Sequence, residues 1–171
     1  MEASDSLRLK VKTDALRLLS FRPRSVEELR ARLRRKRYPA EVIEETVAQL
    51  SKHGLLDDER FARWVAASAV HTRPIGKKQI ELDLKKRGVR PEAIAGALAG
   101  IGDYDEKTVA KDLVFKRFQK MTGLSKEKKK ARLFSFLKRR GFETGASLDA
   151  LGELFKGEET GEVTPESHDD E

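Results

Sequence analysis

The chain has 171 residues, with 36 lysines and arginines against 29 acidic residues, a formal net charge of +7, and no cysteine. That length can bury a sizeable core, the lack of cysteine excludes disulfides and thiolate metal sites, and no apolar run approaches the roughly 20 residues of a membrane span. The charge is uneven: Lys156 to Glu171 carries −6, which leaves +13 on residues 1–155.

Apolar residues recur at three- and four-residue spacing along nearly the whole body, so the fold class is all-α. Residues 1–12, with no apolar stretch of the kind a secretory signal needs, are expected as a flexible arm. A first helix is expected from Asp14 to Phe21, ended by Arg22-Pro23. Ser25 caps the second, and Glu28 three residues on completes a capping box, in which each side chain satisfies the other's exposed amide. The third opens at Pro39, where a missing amide hydrogen is harmless, and stops at Gly54. Asp57-Asp58 start the fourth, whose Phe61, Trp64, Val65 and Ser68 share a face. After the loop Arg73-Pro74-Ile75-Gly76, the fifth runs to a stop at Gly88, and the sixth starts at Pro91. The seventh opens at Asp105, with Val109, Leu113 and Phe118 inward. Ser125 caps the eighth, Gly141 ends it, and the ninth covers about Ser147 to Phe155. From Gly157 the composition is acidic and poor in apolar residues, which predicts a disordered tail.

The helices repeat. Leu29 to Leu50 recurs 51 residues later as Ile80 to Ile101, with Leu33 on Leu84, Ile43 on Ile94 and Val47 on Leu98. A weaker copy follows 53 residues further on, where Leu133, Leu137, Gly141 and Phe142 match Ile80, Leu84, Gly88 and Val89. The basic triplets Arg34-Arg35-Lys36, Lys85-Lys86-Arg87 and Lys138-Arg139-Arg140 fall at the same place in each copy. Units of this size stack as supersecondary modules. The expected organisation is an arm (1–12), three three-helix modules (13–56, 57–103 and 104–156) in an elongated, curved, right-handed-type body, and the acidic tail (157–171). Leu29, Leu33, Ile80, Leu84, Leu133 and Leu137 should lie in three small cores.

No catalytic constellation is legible. His53, His71 and His168 are scattered, none at the four-residue spacing of a helical metal pair. Gly96, Gly100 and Gly102 lack the strand and lysine of a phosphate loop. Asp57 and Asp58 stand where orphan helix amides need caps. The chain therefore reads as a non-enzyme without cofactor or metal. The basic residues form a more coherent pattern: Arg30, Arg34 and Arg37 on the second helix, Arg73, Lys77, Lys78, Lys85 and Lys86 on and before the fifth, and Lys128, Lys129, Arg132 and Arg139 on the eighth. Periodic cations suit a periodic anion, and the acidic tail could mask them. Tyr38, Phe61, Trp64 and Phe142 fall at core positions rather than free base platforms.

These residues resemble the RecX regulators of the bacterial RecA recombinase. The resemblance rests on Ala15-Leu16-Arg17-Leu18-Leu19, Arg24-Ser25, Glu28-Leu29 and Leu33. It continues in Gly54-Leu55-Leu56-Asp57-Asp58-Glu59-Arg60-Phe61-Ala62, then Gly76, Ile80, Leu84, Lys86, Gly88 and Ile94, and last Lys129, Leu137, Arg140, Gly141 and Phe142. It covers about residues 13–155. Arg37 stands where that family often has glycine, Ile75 and Lys77 flank Gly76 where an aromatic or polar residue and a proline are usual, and Ser147 takes the place of Ile43 and Ile94, which predicts a register slip in the last helix. The resemblance implies a cytoplasmic, monomeric, non-enzymatic protein lying in the groove of the RecA–DNA filament, with RecA and single- or double-stranded DNA as partners. There it would restrain filament growth, ATP hydrolysis, strand exchange and co-protease activity, and so tune recombination, DNA repair and the SOS response. The alternative is a basic helical protein acting directly on DNA, though Gln49, Gln79 and Gln119 are few side chains for reading bases.

Overall fold

The computed structural model describes residues 2–71, 74–102 and 104–160. Among the described residues there are nine helices and no strand: α1 (Glu2–Phe21), α2 (Val26–Arg35), α3 (Ala40–Lys52), α4 (Asp58–His71), α5 (Lys77–Lys86), α6 (Pro91–Gly100), α7 (Glu106–Phe118), α8 (Lys126–Arg139) and α9 (Thr144–Thr160). They group as three tandem three-helix modules, α1–α3, α4–α6 and α7–α9. The chain divides into two compact units, Met1–Thr72 with Ile80–Gly102, and Arg73–Gln79 with Asp103–Glu171.

In the first unit, α1 packs on α2 and α3. Val11, Ala15, Leu29, Leu33, Ile43, Val47, Leu50 and Leu56 form a buried cluster, with Leu7 and Leu18 against it. The segment expected as a flexible arm is instead the first half of α1. Leu7, Val11 and Ala15 recur every four residues, so one stripe of the longer helix faces the core, and Val11 is fully buried. Ser25 caps α2 with the complete capping box. In α4 the buried residues are Phe61, Ala62, Ala66 and Ala69, while Trp64 is 45% exposed. The face expected to hold Trp64 and Ser68 is therefore rotated toward the small residues, which let α4 lie close against α6.

The N-terminus of α2 abuts the C-terminus of α5 within this unit. The Ser25 hydroxyl donates to the Arg87 carbonyl while accepting from the Glu28 amide. The Asp58 carboxylate accepts from the Val26 amide at 2.8 Å. Glu28 accepts from Arg22 at 3.1 Å and lies 3.7 Å from Arg87. The Ser25 hydroxyl thus satisfies the carbonyl just past α5, the Asp58 carboxylate satisfies an orphan amide of α2, and the facing dipole ends attract. Gly88, at φ +73°, ends α5, and a Cβ there would come within 2.6 Å of Glu27 Cβ.

The second unit repeats this junction. The Gly76 amide donates to the Arg140 carbonyl at 2.9 Å. The Glu106 carboxylate accepts from the Lys77 amide at 2.6 Å, as Asp58 does from Val26. Arg140 also donates to the Pro74 carbonyl at 3.1 Å, and Tyr104 to that of Ile75 at 2.8 Å. Burial pushes the Tyr104 hydroxyl up to about 12. The core holds Ala110, Val114, Leu133, Leu137, Phe142, Ala150, Leu151, Leu154 and Phe155. Val109, Leu113 and Phe118, expected as the inner residues of α7, are only partly buried at the rim of this cluster. Helix α9 keeps its register. Ser147 is fully buried like Ile43 and Ile94, and its hydroxyl donates to the Glu143 carbonyl at 2.7 Å, so a polar residue fits the apolar slot. The helix begins at Thr144 and continues to Thr160, past the expected end at Phe155. Residues 161–171 lie outside the described residues, as does Arg73.

The two carboxyls at the first junction are shifted from their ordinary values in opposite directions. Burial pushes Glu28 up, but hydrogen bonds from Arg22 and the Ser25 amide, with the charges of Arg22 and Arg87, more than offset it and hold Glu28 below its ordinary 4.5. Burial leaves Asp58 raised. A depressed carboxyl contributes stability that is present above its unfolded pKa and is lost as pH falls through its folded value. Glu28→Gln should therefore lower the melting temperature at pH 7, and the gap from the parent should shrink as pH falls below about 4.5. A gap that widens in acid would contradict this assignment.

Candidate nucleic-acid interface

Asp57 and Asp58 both act at the start of α4, in different ways. Asp57 accepts from the amides of Glu59 and Arg60 at 2.8 and 3.0 Å and is an ordinary N-cap. Its carboxyl is held low, first by the Arg60 amide. Asp58 turns instead to α2. Among the described residues no cluster of His, Asp and Glu could hold a metal ion, and no helix is long and apolar enough to cross a membrane.

The structure separates the three expected basic stripes. On α2, Arg30 grips the Glu44 carboxylate of α3 at 2.6–3.0 Å and lies 3.7 Å from Glu27. Arg34 pairs with Glu27 at 2.9 Å. These two cations are internally matched. Arg37 is exposed and has φ +61°. It occupies the left-handed position that Gly88 and Gly141 fill in the later modules, which is the physical reason glycine suits this site.

On α5, Lys85 pairs with Glu81 at 2.5 Å, Lys77 is half-buried, and Lys78 and Lys86 are exposed. On α8, Lys128, Arg132 and Arg139 are all exposed. Lys129 is turned aside, with its ammonium 4.4 Å from the centre of the Phe118 ring. Arg132 and Arg139 border a hollow of about 680 Å³ whose other wall comes from the end of α7, with Arg117 and Lys120. Those two residues escape a search that follows one helix at a time. Their signal is a three-residue spacing at the C-terminal end of α7, one module element before the basic helix. Among these candidate cations, Arg30, Arg34 and Lys85 are thus paired with carboxylates, whereas Lys128, Arg132 and Arg139 on α8 are exposed.

The three modules match family models in order: the first three-helix domain of RecX over residues 12–50, the second over 57–98 and the third over 105–151. The chain belongs to the RecX family. Among curated relatives, the regulatory protein RecX of Chlorobium limicola is 34% identical over 142 residues, 83% of this chain and 87% of that one. That of Pelodictyon phaeoclathratiforme is 34% identical over 93% of this chain and 92% of its own, and that of Streptomyces coelicolor 31% identical over 87% and 78%. The fold also matches the crystal structure of RecX from Lactobacillus salivarius, with TM-score 0.75 at 22% identity over 89% of this chain and 99% of that one. A second crystal structure of a regulatory protein RecX gives 0.78 at 21% identity over 90% and 75%.

RecX family membership leaves one aromatic residue to account for. Trp64, the chain's single tryptophan, stands half-exposed with its ring 6.3 Å from that of Phe61, beside a shallow groove with Leu55, Arg60 and Arg24. Acrylamide should quench its fluorescence readily in the folded protein. Protection typical of a buried indole would restore it to the core, where its spacing on α4 would place it.

Proposed function

We propose that this protein is a negative modulator of RecA–DNA filaments, binding in the filament groove and restraining filament growth, ATP hydrolysis, strand exchange and co-protease activity. It acts as a monomer in the cytoplasm and has no catalysis of its own. Membership of a family of regulatory proteins supports this reading. The observation that carries it is the exposed cationic face of α8 and α7, which suits a polyanionic groove. The rival is direct action on DNA by a basic helical protein.

RecA ATPase activity on saturating single-stranded DNA separates the two. A protein acting through the filament inhibits at amounts far below the number of binding sites on the DNA. One that competes for DNA inhibits only when present in sufficient amount to cover it. Inhibition that scales with DNA coverage would overturn the filament reading.

A further inference from the structure

The groove beside Trp64 joins an apolar floor to cations that no carboxylate balances. Leu19 near the end of α1, Pro23 in the loop after it, Leu55 in the loop before α4, and Phe61 and Trp64 on α4 line a hollow of about 300 Å³. Leu55 is 51% exposed and Trp64 45%. Two large apolar side chains left open in one hollow differ from apolar residues scattered singly, and such patches mark places where another molecule lies. Arg24 and Arg60 complete the lining, and no acidic side chain does. Their neighbours are matched, Arg22 with Glu28 at 3.1 Å and Arg63 with Glu59 at 4.0 Å. Among the described residues, Arg24 and Arg60 pair with no carboxylate. Each is held instead by a backbone carbonyl. Arg24 Nε donates to that of Leu18 at 3.0 Å, and Arg60 Nη2 to that of Gly54 at 2.8 Å. Burial lowers the Arg24 pKa, the mark of a cation short of water. Each guanidinium keeps further N–H donors, and its anchored position lessens the entropy lost when a ligand binds.

The composition selects the kind of partner. Tryptophan and arginine around an apolar hollow are the side chains that dominate binding energy at protein interfaces. The volume stands at the lower end for ligand pockets and suits one or two inserted side chains. An aliphatic anchor fills the floor, and carboxylates beside it reach the arginines as charge-assisted hydrogen bonds. An amphipathic helix carries that set on one face, with anchor and carboxylates three or four residues apart. A nucleic acid fits less well. Leu19, Pro23 and Leu55 offer aliphatic surface, Phe61 is buried so that one ring alone is open for stacking, and two cations are few for a chain of phosphates. We infer that the groove beside α4 docks an acidic amphipathic segment of a protein partner, with an aliphatic side chain against Trp64 and carboxylates on Arg24 and Arg60. This goes beyond the proposed function. It adds a protein-recognition surface on the first two modules whose binding requires neither RecA nor DNA.

The test is binding of a fluorescein-labelled helical peptide, with leucines four residues apart and glutamates flanking them, by the full chain. Anisotropy reports binding in the absence of RecA and DNA, and circular dichroism checks the fold. With the unlabelled peptide, Trp64 emission should move to shorter wavelength and become protected from acrylamide. Arg60→Gln with Leu55→Ser alters two exposed side chains and should weaken binding at least about tenfold. Lys10→Gln with Lys12→Gln removes charge from exposed positions on α1 and should change affinity less than about twofold, since distant surface charges are screened. A peptide with lysine in place of glutamate should not bind, and one with serine in place of leucine should bind at least about tenfold more weakly. No binding by the parent chain at millimolar peptide, equal binding of the lysine peptide, or equal affinity in the groove variant and the parent would each overturn the inference. Two further probes decide against other occupants. If unlabelled oligo-dT displaces the peptide and is itself weakened to the same extent by the groove variant, the groove is a nucleic-acid site and the inference falls. It falls equally if phosphatidylglycerol vesicles protect Trp64 from acrylamide and the peptide does not.

Discussion

Gly76→Ala should be the most destabilising single-methyl change in this chain. The Gly76 amide donates to the Arg140 carbonyl, and a Cβ at Gly76 would overlap the Gly141 carbonyl and the Phe142 amide. Those are backbone atoms, and they close the end of a helix whose neighbouring Phe142 is fully buried. No flexible side chain is there to move aside, so the junction between α5 and α8 has to open. Overpacking of this kind costs about 3 kcal/mol. For a chain of this size that corresponds to a melting temperature lower by roughly 6–12 °C. Gly54→Ala is the matched comparison. Gly54 has φ +67° with nothing within 4 Å of a Cβ, so its alanine variant meets only the left-handed backbone penalty of about 1–2 kcal/mol. Thermal melts should rank Gly76→Ala well below Gly54→Ala. Similar melting temperatures would mean the junction gives way easily and Gly76 is not a fixed point of the fold.

This junction also marks where the sequence stops being informative about the fold. Helix starts and stops are local, and Ser25, Asp57, Asp105 and Ser125 announce them through side chains that satisfy amides two or three residues ahead. The repeat is legible for the same reason, since Leu29, Ile80 and Leu133 face inward at one place in successive units and are all fully buried. Gly88 and Gly141 read in the sequence as helix stops, which they are. Their second role, admitting Glu27 and Gln79 of another module, depends on packing between helices and leaves no trace in spacing. The paired capping by Asp58 and Glu106 is hidden likewise, because each satisfies an amide some 30 residues away. Helix α1 is different. Its Leu7, Val11, Ala15 stripe is plain in the sequence, but the charged residues between these positions resemble those of a solvated arm.

The basic stripes are legible as composition and only partly as surface. Arg34 with Glu27 is two helical turns apart on α2 and can be read from spacing, whereas Arg30 with Glu44 joins two helices and cannot. That difference decides how charge reversal should act. On α8, changing Lys128, Arg132 and Arg139 to Glu leaves helix propensity nearly unchanged. All three residues are exposed, so the fold should stand. Three cations become three anions, which the proposed docking in a polyanionic groove cannot tolerate. Inhibition of RecA should then require at least tenfold more protein, a weakening of about 1.4 kcal/mol in binding, and the effect should be greatest at low salt, where screening is weakest. The equivalent reversal on α2 is a poorer probe of function. Arg30→Glu sets a third carboxylate beside Glu44 and Glu27, and Arg34→Glu sets another beside Glu27. That triple variant should melt earlier than the α8 variant, while the α8 variant should lose more inhibition at a temperature where both are folded. If the α8 reversal inhibits RecA as the parent does and circular dichroism shows its helices intact, the third module's cations are only a solvated face. The filament contact must then be sought on the exposed residues of α4, where Trp64 and Arg60 border the apolar groove.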